Sequence, residues 1–557
     1  MSSTSILFAG KKKVSNQKLR GGYYTPKILS DYMVDWAIRS ETDNILEPSC
    51  GDGNFIESAL NKLNRFNTDA PSSIISVELN REEIQKAKKR AEYINSNTIL
   101  SWKNDDFFRT YMVLKKKKIN VVLGNPPFIR FQHFDNESRE LAFSHLRDSG
   151  YKPTKLSNTW AAFVQLSIEL LSEGGRLAMV VPAEILQVQY ASELRQRITQ
   201  QFEQIILVTF KKLVFPDIQQ EVVLLLADNK RKVLNGNCTF HTVEIEDEYD
   251  LHNETLEKKV FHSGAKHACG NIKWTSFFLK QEEFHNIYDF NKEGKIKSLK
   301  NYAAVNVGIV TGRNKFFILD KEVVSEYKLD KFIIPLVGKT NGLNKLRFTK
   351  KDFKSFSLEN PAYLLQLQNI DYSKFTKGLK EYIALGEQED VHLGYKCRIR
   401  KRWYDVPSTH ISEGFLFRQI YKNPLLVSNK ANVACTDTIH RVILKDKDIN
   451  IEQLSASFIN SFTFAWSEIV GRSYGGGVLE LEPSEAIELP MPYVESIPLD
   501  LDLIDKEIRN NNIEKVLDYV DQKILIEHFG YQKHEVALLR QTWINLRDRR
   551  IYRSKSK

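Results

Sequence analysis

The chemistry in this chain centres on Asn125-Pro126-Pro127-Phe128, which follows the strand-like run "INVVLG" (119–124). Two prolines cannot extend a strand, because proline donates no backbone hydrogen bond and locks its own φ. Asn125 precedes a proline and is pushed towards extended backbone. The stretch therefore freezes an amide side chain, stiff backbone carbonyls and an aromatic ring at the carboxyl end of a strand. An amine conjugated to a planar ring is a poor nucleophile, since its lone pair is delocalised. Two acceptors, the Asn125 side-chain oxygen and the Pro126 carbonyl, would take both amine hydrogens and localise that pair. Phe128 would stack on the ring. Positioning and electrostatics carry such a reaction, and no covalent nucleophile is required.

Elements that can hold this motif alternate along residues 1–245 as strands and helices, the pattern of a mostly parallel α/β sheet. "NILEP" (44–48) runs into the Gly-rich turn "SCGDGNF", and "SIISVEL" (73–79) into the helix-like "NREEIQKAKKRAEYI". "TILSWK" leads into "NDDFF". "TWAAFVQLSIELLSEGG" reads as a helix stopped by its glycines, with "RLAMVVPAEIL" as the strand behind it. "FEQIILVTF" and "EVVLLLAD" read as two late strands joined by "KKLVFPDIQQ".

Ligands of an open parallel sheet sit at the carboxyl ends of its strands, near the switch in strand order. Glu47 ends the first strand, and Gly51 and Gly53 permit a tight turn behind it. Glu78 ends the second, where a carboxylate can accept from both hydroxyls of a ribose. Asp106 and Phe107 follow the third, placed to bond an adenine amine and cover its ring. GxGxxG is absent, and a pyrophosphate would sit badly beside Glu47 and Asp52. A ligand with an ammonium or sulfonium group fits better, and S-adenosylmethionine carries both.

Beyond residue 245 the alternation breaks down. Residues 246–290 are polar and irregular and read as a linker or peripheral layer. Residues 291–557 read as a second domain of mixed α+β character. It has short strand-like pieces such as "GIVTGRNKFFIL" and "YKCRIRKRWYDVP", then helical spacing at Val516, Leu517, Val520, Ile524 and at Val536, Leu539, Trp543, Leu546. The net charge of +10 favours a polyanionic partner, although so modest an excess also simply aids solubility. The 5 cysteines are scattered without a CxxC, which argues against a disulfide framework and against a zinc site. No metal-ligand cluster, membrane-length apolar run or signal-peptide pattern is seen, so a cytoplasmic protein without metal is expected.

These motifs together resemble the gamma class of N6-adenine DNA methyltransferases, which includes the modification enzymes of restriction systems. "GNPPF" resembles their motif IV, "LRGGYYTP" (19–26) motif X, "LEPSCGDGNF" motif I, "SVELN" motif II and "DDFF" motif III. "YGGGVLELEPSEAIELP" (474–490) is similar to a closing segment of their target-recognition domains. The resemblance implies a Rossmann-like S-adenosylmethionine domain over 1–245 and a DNA target-recognition domain over 291–557. It implies that Thr25 touches the methionine end of the cofactor, with Glu47, Gly51 and Gly53 beside it, Glu78 on the ribose and Asp106 and Phe107 on the adenine. It places Phe215, in "VFPDIQQE", as a second aromatic against the flipped base, where a plain core ring is the alternative. Phe128 stands where the family more often has Tyr, and stacking needs no hydroxyl.

The target base must leave the duplex to reach such a site, at a cost of a few kcal/mol. Target choice is therefore expected from the C-terminal domain. Its candidates are Lys396, Arg398, Arg400, Lys401 and Arg402 in "YKCRIRKRWY", with Arg313 in "VTGRNK"; a solvated basic strand edge is the alternative. Gly475 to Gly477 suit close backbone approach to DNA or a plain flexible turn, and the basic tail "RDRRIYRSKSK" reads as a disordered arm. The expected partner is double-stranded DNA, with a monomeric enzyme and any cognate endonuclease on a separate chain. The same pocket would also serve an RNA adenine or a protein glutamine methyltransferase. N4-cytosine enzymes usually begin this motif with Ser, so Asn125 favours adenine.

Overall fold

The computed structural model describes residues 24–557 apart from 67–71, 95, 155–157, 213, 216–220, 233–237, 253–265, 269–271, 408–409, 475 and 556–557. Two compact units are present. One takes the described residues up to 284 together with those of 472–477 and 550–557. The other takes 285–471 and 478–549.

In the first unit the strands are β1 (Asn44–Glu47), β2 (Ser73–Val77), β3 (Ile99–Lys103), β4 (Ile119–Gly124), β5 (Leu171–Pro182), β6 (Phe202–Phe210), β7 (Val222–Lys230), β8 (Cys238–Ile245) and β9 (Lys266–Ala268). They form one sheet in the order β3-β2-β1-β4-β5-β7-β6-β8-β9. Strands β3 to β5 of that order run parallel, while β7 is antiparallel to both its neighbours. The order reverses between β1 and β4, so the switch point lies between Glu47 and the motif that follows Gly124.

Helices α1 (Lys27–Ala37), α2 (Asn54–Asn64) and α3 (Arg81–Glu92) cover one face. Helices α4 (Phe107–Leu114), α5 (Asn136–Asp148), α6 (Thr159–Leu170) and α7 (Ser192–Gln201) cover the other. Successive strand residues divide between the faces: Ile45 and Val121 join the first core, Leu46 and Val122 the second. That two-sided burial explains why these strands are nearly continuous Val/Ile/Leu runs rather than alternating ones. Each such side chain stabilises the fold by about 1.5–3 kcal/mol when fully buried. Helix α6 is buried on almost every side, which accounts for its lack of a polar face.

In the second unit, a five-stranded sheet runs in the order Ala303–Val307, Ile439–Leu444, Gly414–Phe417, Leu426–Asn429, Arg347–Phe348. A four-stranded sheet includes Tyr363–Leu365 and Ile333–Val337. Helices Ile513–Val520 and Lys533–Lys555 bury Val516, Leu517, Val520 and Val536, Leu539, Trp543, Leu546 respectively, as their spacing predicts.

Three expectations are corrected. The glycines of "LLSEGG" do not end a helix: α6 stops at Leu170, and Gly174 and Gly175 lie inside β5, where the register against β4 slips between Ile119 and Val121. A Cβ on Gly175 would fall 2.8 Å from the Ser172 carbonyl oxygen, so the glycine permits a bulge. The segment 246–290, expected as a linker or peripheral layer, is packed where it is described. Leu251, Trp274 and Phe277 are buried in the first unit, with Phe277 stacked 4.2 Å from Phe240. "YKCRIRKRWY" is no strand but one helical turn, Tyr395–Arg398, followed by turns, because Cys397 and Tyr404 are buried while Ile399 is 60% exposed. The basic tail is helical as far as Lys555, with Arg550 buried and donating to the Gly477 carbonyl. Among the described residues, no helix is long and apolar enough to cross a membrane.

Candidate active site

At the carboxyl end of β1, Glu47 is 2% exposed and its Oε2 is buried without a hydrogen-bond partner. Burial pushes this carboxyl well above the usual carboxylate range, and the neighbouring Glu78 and Asp52 push the same way. A carboxyl stripped of water and flanked by like charges holds its proton unless a cation arrives. The turn that follows is built on two glycines. Gly51 has φ +51° and its N–H donates to Glu78 Oε2 at 2.9 Å. Gly53 has φ +91°, and a Cβ there would sit 2.8 Å from the Ala87 Cα, so the turn can lie flat on α3 only as glycine.

Glu78 is held from both sides, since its Oε1 accepts from the Asn80 N–H at 2.7 Å. Burial raises its pKa, and these two amides oppose the rise. Each oxygen keeps a further lone pair for an incoming donor. Asp52, by contrast, is paired with Arg90 at 2.6 Å. Thr25 is buried, with its carbonyl accepting from Asn54 Nδ2 at 2.9 Å. Tyr24, half exposed against Gly51, is hydrogen-bonded to Glu83, and burial with that bond raises its pKa.

Asp106 caps α4, its Oδ1 accepting from the Phe108 N–H at 2.7 Å, and its Oδ2 accepts from Ser138 Oγ. Phe107 is 2% exposed and stacks on Phe163 at 4.8 Å. In this structure it is a core ring rather than a cover over the strand ends.

Beside Glu47, at the carboxyl end of β4, Pro126 is buried and Asn125, Pro127 and Phe128 are half-buried. The Asn125 carbonyl accepts from Ser49 Oγ at 3.3 Å, which ties the Gly-rich turn to the Asn-Pro-Pro-Phe motif. Phe128 packs against both apolar cores. Phe215 is buried on the loop between β6 and β7, within one of those cores.

The structure thus gathers Glu47, Gly51, Gly53 and Glu78 around one turn and sets Asn125 to Phe128 against it. Ser49, Tyr24 and Ser138 are not marked by the sequence as individual residues. The first two stand inside the Gly-rich turn and the segment before it, and that position is the only signal they carry. Nothing in the sequence marks Ser138.

In the second unit, two of the expected basic segments meet. A Cβ on Gly312 would fall 2.7 Å from the Lys396 Cβ, and one on Gly394 would fall 3.0 Å from Arg313 Nε. Lys396, Arg398 and Lys401 are exposed. Arg400 and Arg402 are turned inward. Arg400 donates to the Thr311 carbonyl at 2.7 Å, and Arg402 grips Asp405 through two bonds of 2.9 Å while donating to the Leu367 and Ile370 carbonyls.

The family described as Eco57I restriction-modification methylase matches residues 46–215, and the C-terminal domain of type II methyltransferase M.Eco57I matches 271–525. Type II methyltransferase M.AccI of Acinetobacter calcoaceticus is 23% identical over 567 aligned residues, covering 96% of each chain. M.HincII of Haemophilus influenzae is 24% identical over 242 residues, covering 42% of each. The structure of the type IIL restriction-modification enzyme MmeI in complex with DNA shares the fold, with a TM-score of 0.55, 13% identity, and coverage of 93% of this chain and 75% of that one. From the two matched segments and the end-to-end alignment, the chain belongs to the Eco57I-type family of type II restriction-modification methylases.

Proposed function

We propose that this methylase transfers a methyl group from S-adenosylmethionine to the N6 amine of an adenine flipped out of double-stranded DNA, as the modification half of a restriction-modification system. The observation that carries this reading is the pairing at the switch point. A buried, partnerless Glu47 oxygen lies beside the rigid Asn125-Pro126-Pro127-Phe128, and one hydrogen bond from the Ser49 hydroxyl to the Asn125 carbonyl ties the turn after Glu47 to that motif.

The residues fit the cofactor. Glu47 offers a cation the negative charge that it cannot otherwise keep, and Glu78 presents two backbone-anchored oxygens to ribose hydroxyls. Thr25 is tied through its carbonyl to Asn54, just past the Gly51 turn, and Asp106 retains a lone pair on each oxygen for an adenine amine. When bound, the cofactor supplies an electrophilic methyl group. The chain's own work is to make the amine a nucleophile. Asn125 and the Pro126 carbonyl accept its two hydrogens, Phe128 stacks on the base, and Phe215 borders it from the β6–β7 loop. Because these acceptors are fixed before the base enters, little reorganisation is left for the transition state.

DNA contact falls to Arg313, Lys396, Arg398 and Lys401 of the second unit, with Arg400 and Arg402 bracing the loop beneath them. Any cleavage activity would reside on a separate endonuclease, and one asymmetric site suits a monomer. The reading is tested by expressing wild type and Asn125→Ala in a host without DNA methylation and quantifying modified nucleosides by mass spectrometry. N6-methyladenine from the wild type alone is expected, and modification-sensitive sequencing of that DNA gives the target. Unmodified DNA from the wild type would overturn it and turn attention to RNA or protein amides.

A further inference from the structure

The Asn-Pro-Pro-Phe motif is held at its far end by residues that lie away from the cofactor turn. Past Phe128 the chain continues through Ile129 and Phe131. The Ile129 carbonyl accepts two hydrogen bonds from Thr159, from its N–H at 3.0 Å and its Oγ1 at 3.1 Å. The Phe131 N–H donates to Asn158 Oδ1 at 3.1 Å. Asn158 stands at the N-cap of α6, a position where Asn normally caps its own helix. Its side chain makes no capping bond here.

The other end of that amide is equally committed. Asn158 Nδ2 donates to Tyr190 Oη at 3.0 Å and to Glu184 Oε2 at 3.3 Å. Tyr190 donates to the same Glu184 oxygen at 2.6 Å and accepts from Trp160 Nε1 at 3.1 Å. Trp160 is 1% exposed in the core. The chain of bonds thus runs from a buried indole through a phenol and an amide to the backbone three residues beyond Phe128. An amide is required at 158, because it must accept on one side and donate on the other. Aspartate there would lose the donor and face Glu184.

We propose that Asn158, oriented by Tyr190 and Glu184, is a positioning residue for methyl transfer: with Thr159 it fixes where Phe128 and the Asn125 acceptor stand. It touches neither cofactor nor base and acts through the backbone of Ile129 and Phe131. With the Ser49 bond at the near end, the motif is clamped at both ends, as a site set for the transition state demands.

This inference rests on the proposed reaction, and its test separates the two. Full-length wild type, Asn158→Ala and Tyr190→Phe would be compared on a duplex carrying the target found by sequencing. The readouts are the single-turnover methylation rate at saturating cofactor and DNA, the cofactor Kd by calorimetry, and Tm. For Asn158→Ala the expected result is a rate loss of roughly 10- to 100-fold, the size seen when reacting groups are displaced by about an ångström. Cofactor Kd should stay within about twofold, since no Asn158 contact reaches the Glu47 side. Tyr190→Phe should lose rate in the same sense but less, with a Tm lowered by the unmet Trp160 donor. Asn158→Ala at the wild-type rate, or a rate loss matched by lost cofactor binding, would overturn the proposal. If Asn158→Ala fails to fold, Tyr190→Phe decides alone: slower transfer at unchanged cofactor Kd supports it, and an unchanged rate overturns it. A wild type inactive on DNA overturns the reading and this inference together.

Discussion

Two groups of charged side chains, at the carboxyl edge of the first unit's sheet and in the turns around residue 400, are treated in opposite ways. Around residue 400 the half-buried charges are consumed. Arg402 makes four bonds to Asp405 and two carbonyls, and Arg400 makes bonds to the carbonyls of the 310–311 turn. At the sheet edge a more deeply buried carboxyl is left incomplete, because Glu47 Oε2 has no partner and lies near Glu78 and Asp52. Folding alone would select against such a group, whose burial unpaired is costly. Density of charge therefore locates neither site. What separates them is whether the fold itself satisfies the charge.

The contrast can be broken by experiment, beginning where the effect is largest. Asn125→Ala should lower single-turnover methyl transfer by roughly 10²–10³, the size of losing one preorganised hydrogen-bonding group at a reacting centre. Cofactor affinity should barely move. Full activity would mean that the motif supplies no acceptor.

Glu47→Gln should weaken cofactor binding by about 1.5–3 kcal/mol, the worth of a hydrogen bond to a charged group, as read by calorimetry. It should have the opposite effect on the ligand-free protein. A carboxyl whose folded pKa is raised stabilises the fold below its unfolded pKa, and that contribution is lost as pH rises towards the folded value. The amide copies the protonated form at every pH. Thermal melts without ligand should therefore show Glu47→Gln increasingly more stable than wild type as pH climbs above the usual carboxylate range. Parallel pH profiles would show that Glu47 is not left without a partner in solution.

Arg402→Ala should cost roughly 1–2 kcal/mol of stability through its lost bonds while leaving the salt dependence of DNA binding unchanged. Lys401→Ala should do the reverse and more gently, with an unchanged Tm and a slope of log K against log salt reduced by about 0.9, the value for one lost phosphate contact. If the two swap behaviours, the division of this segment into braces and contacts is wrong.

The order β1 to β4 and the turns between them are legible in the sequence because two-sided burial writes short Val/Ile runs and because Gly and Pro end them. Gly174 and Gly175 mislead, since a glycine that stops a helix and one that permits a strand bulge look alike until the partner strand is known. "YKCRIRKRWY" misleads differently. Alternating Cys, Ile and basic residues mimic a strand, but the fold buries Cys397 and Tyr404 and leaves Ile399 outside. At the site, residue types at strand ends are readable, whereas partnerships are not. That Asp106 caps its helix, that Phe107 turns into the core and that Asn158 reaches across to Phe131 depend on helices brought alongside from elsewhere in the chain.

The Ser49 bond to the Asn125 carbonyl has a consequence for reach. Adjacent parallel strands lie about 4.8 Å apart, and β1 and β4 are such neighbours. With their outgoing turns stitched together, the span between the Glu47 turn and the Asn-Pro-Pro-Phe motif is a property of the sheet, like the gap between rungs of a ladder. A donor carrying a longer transferable group would have to be accommodated by the side chains around that gap, because the rungs themselves are tied.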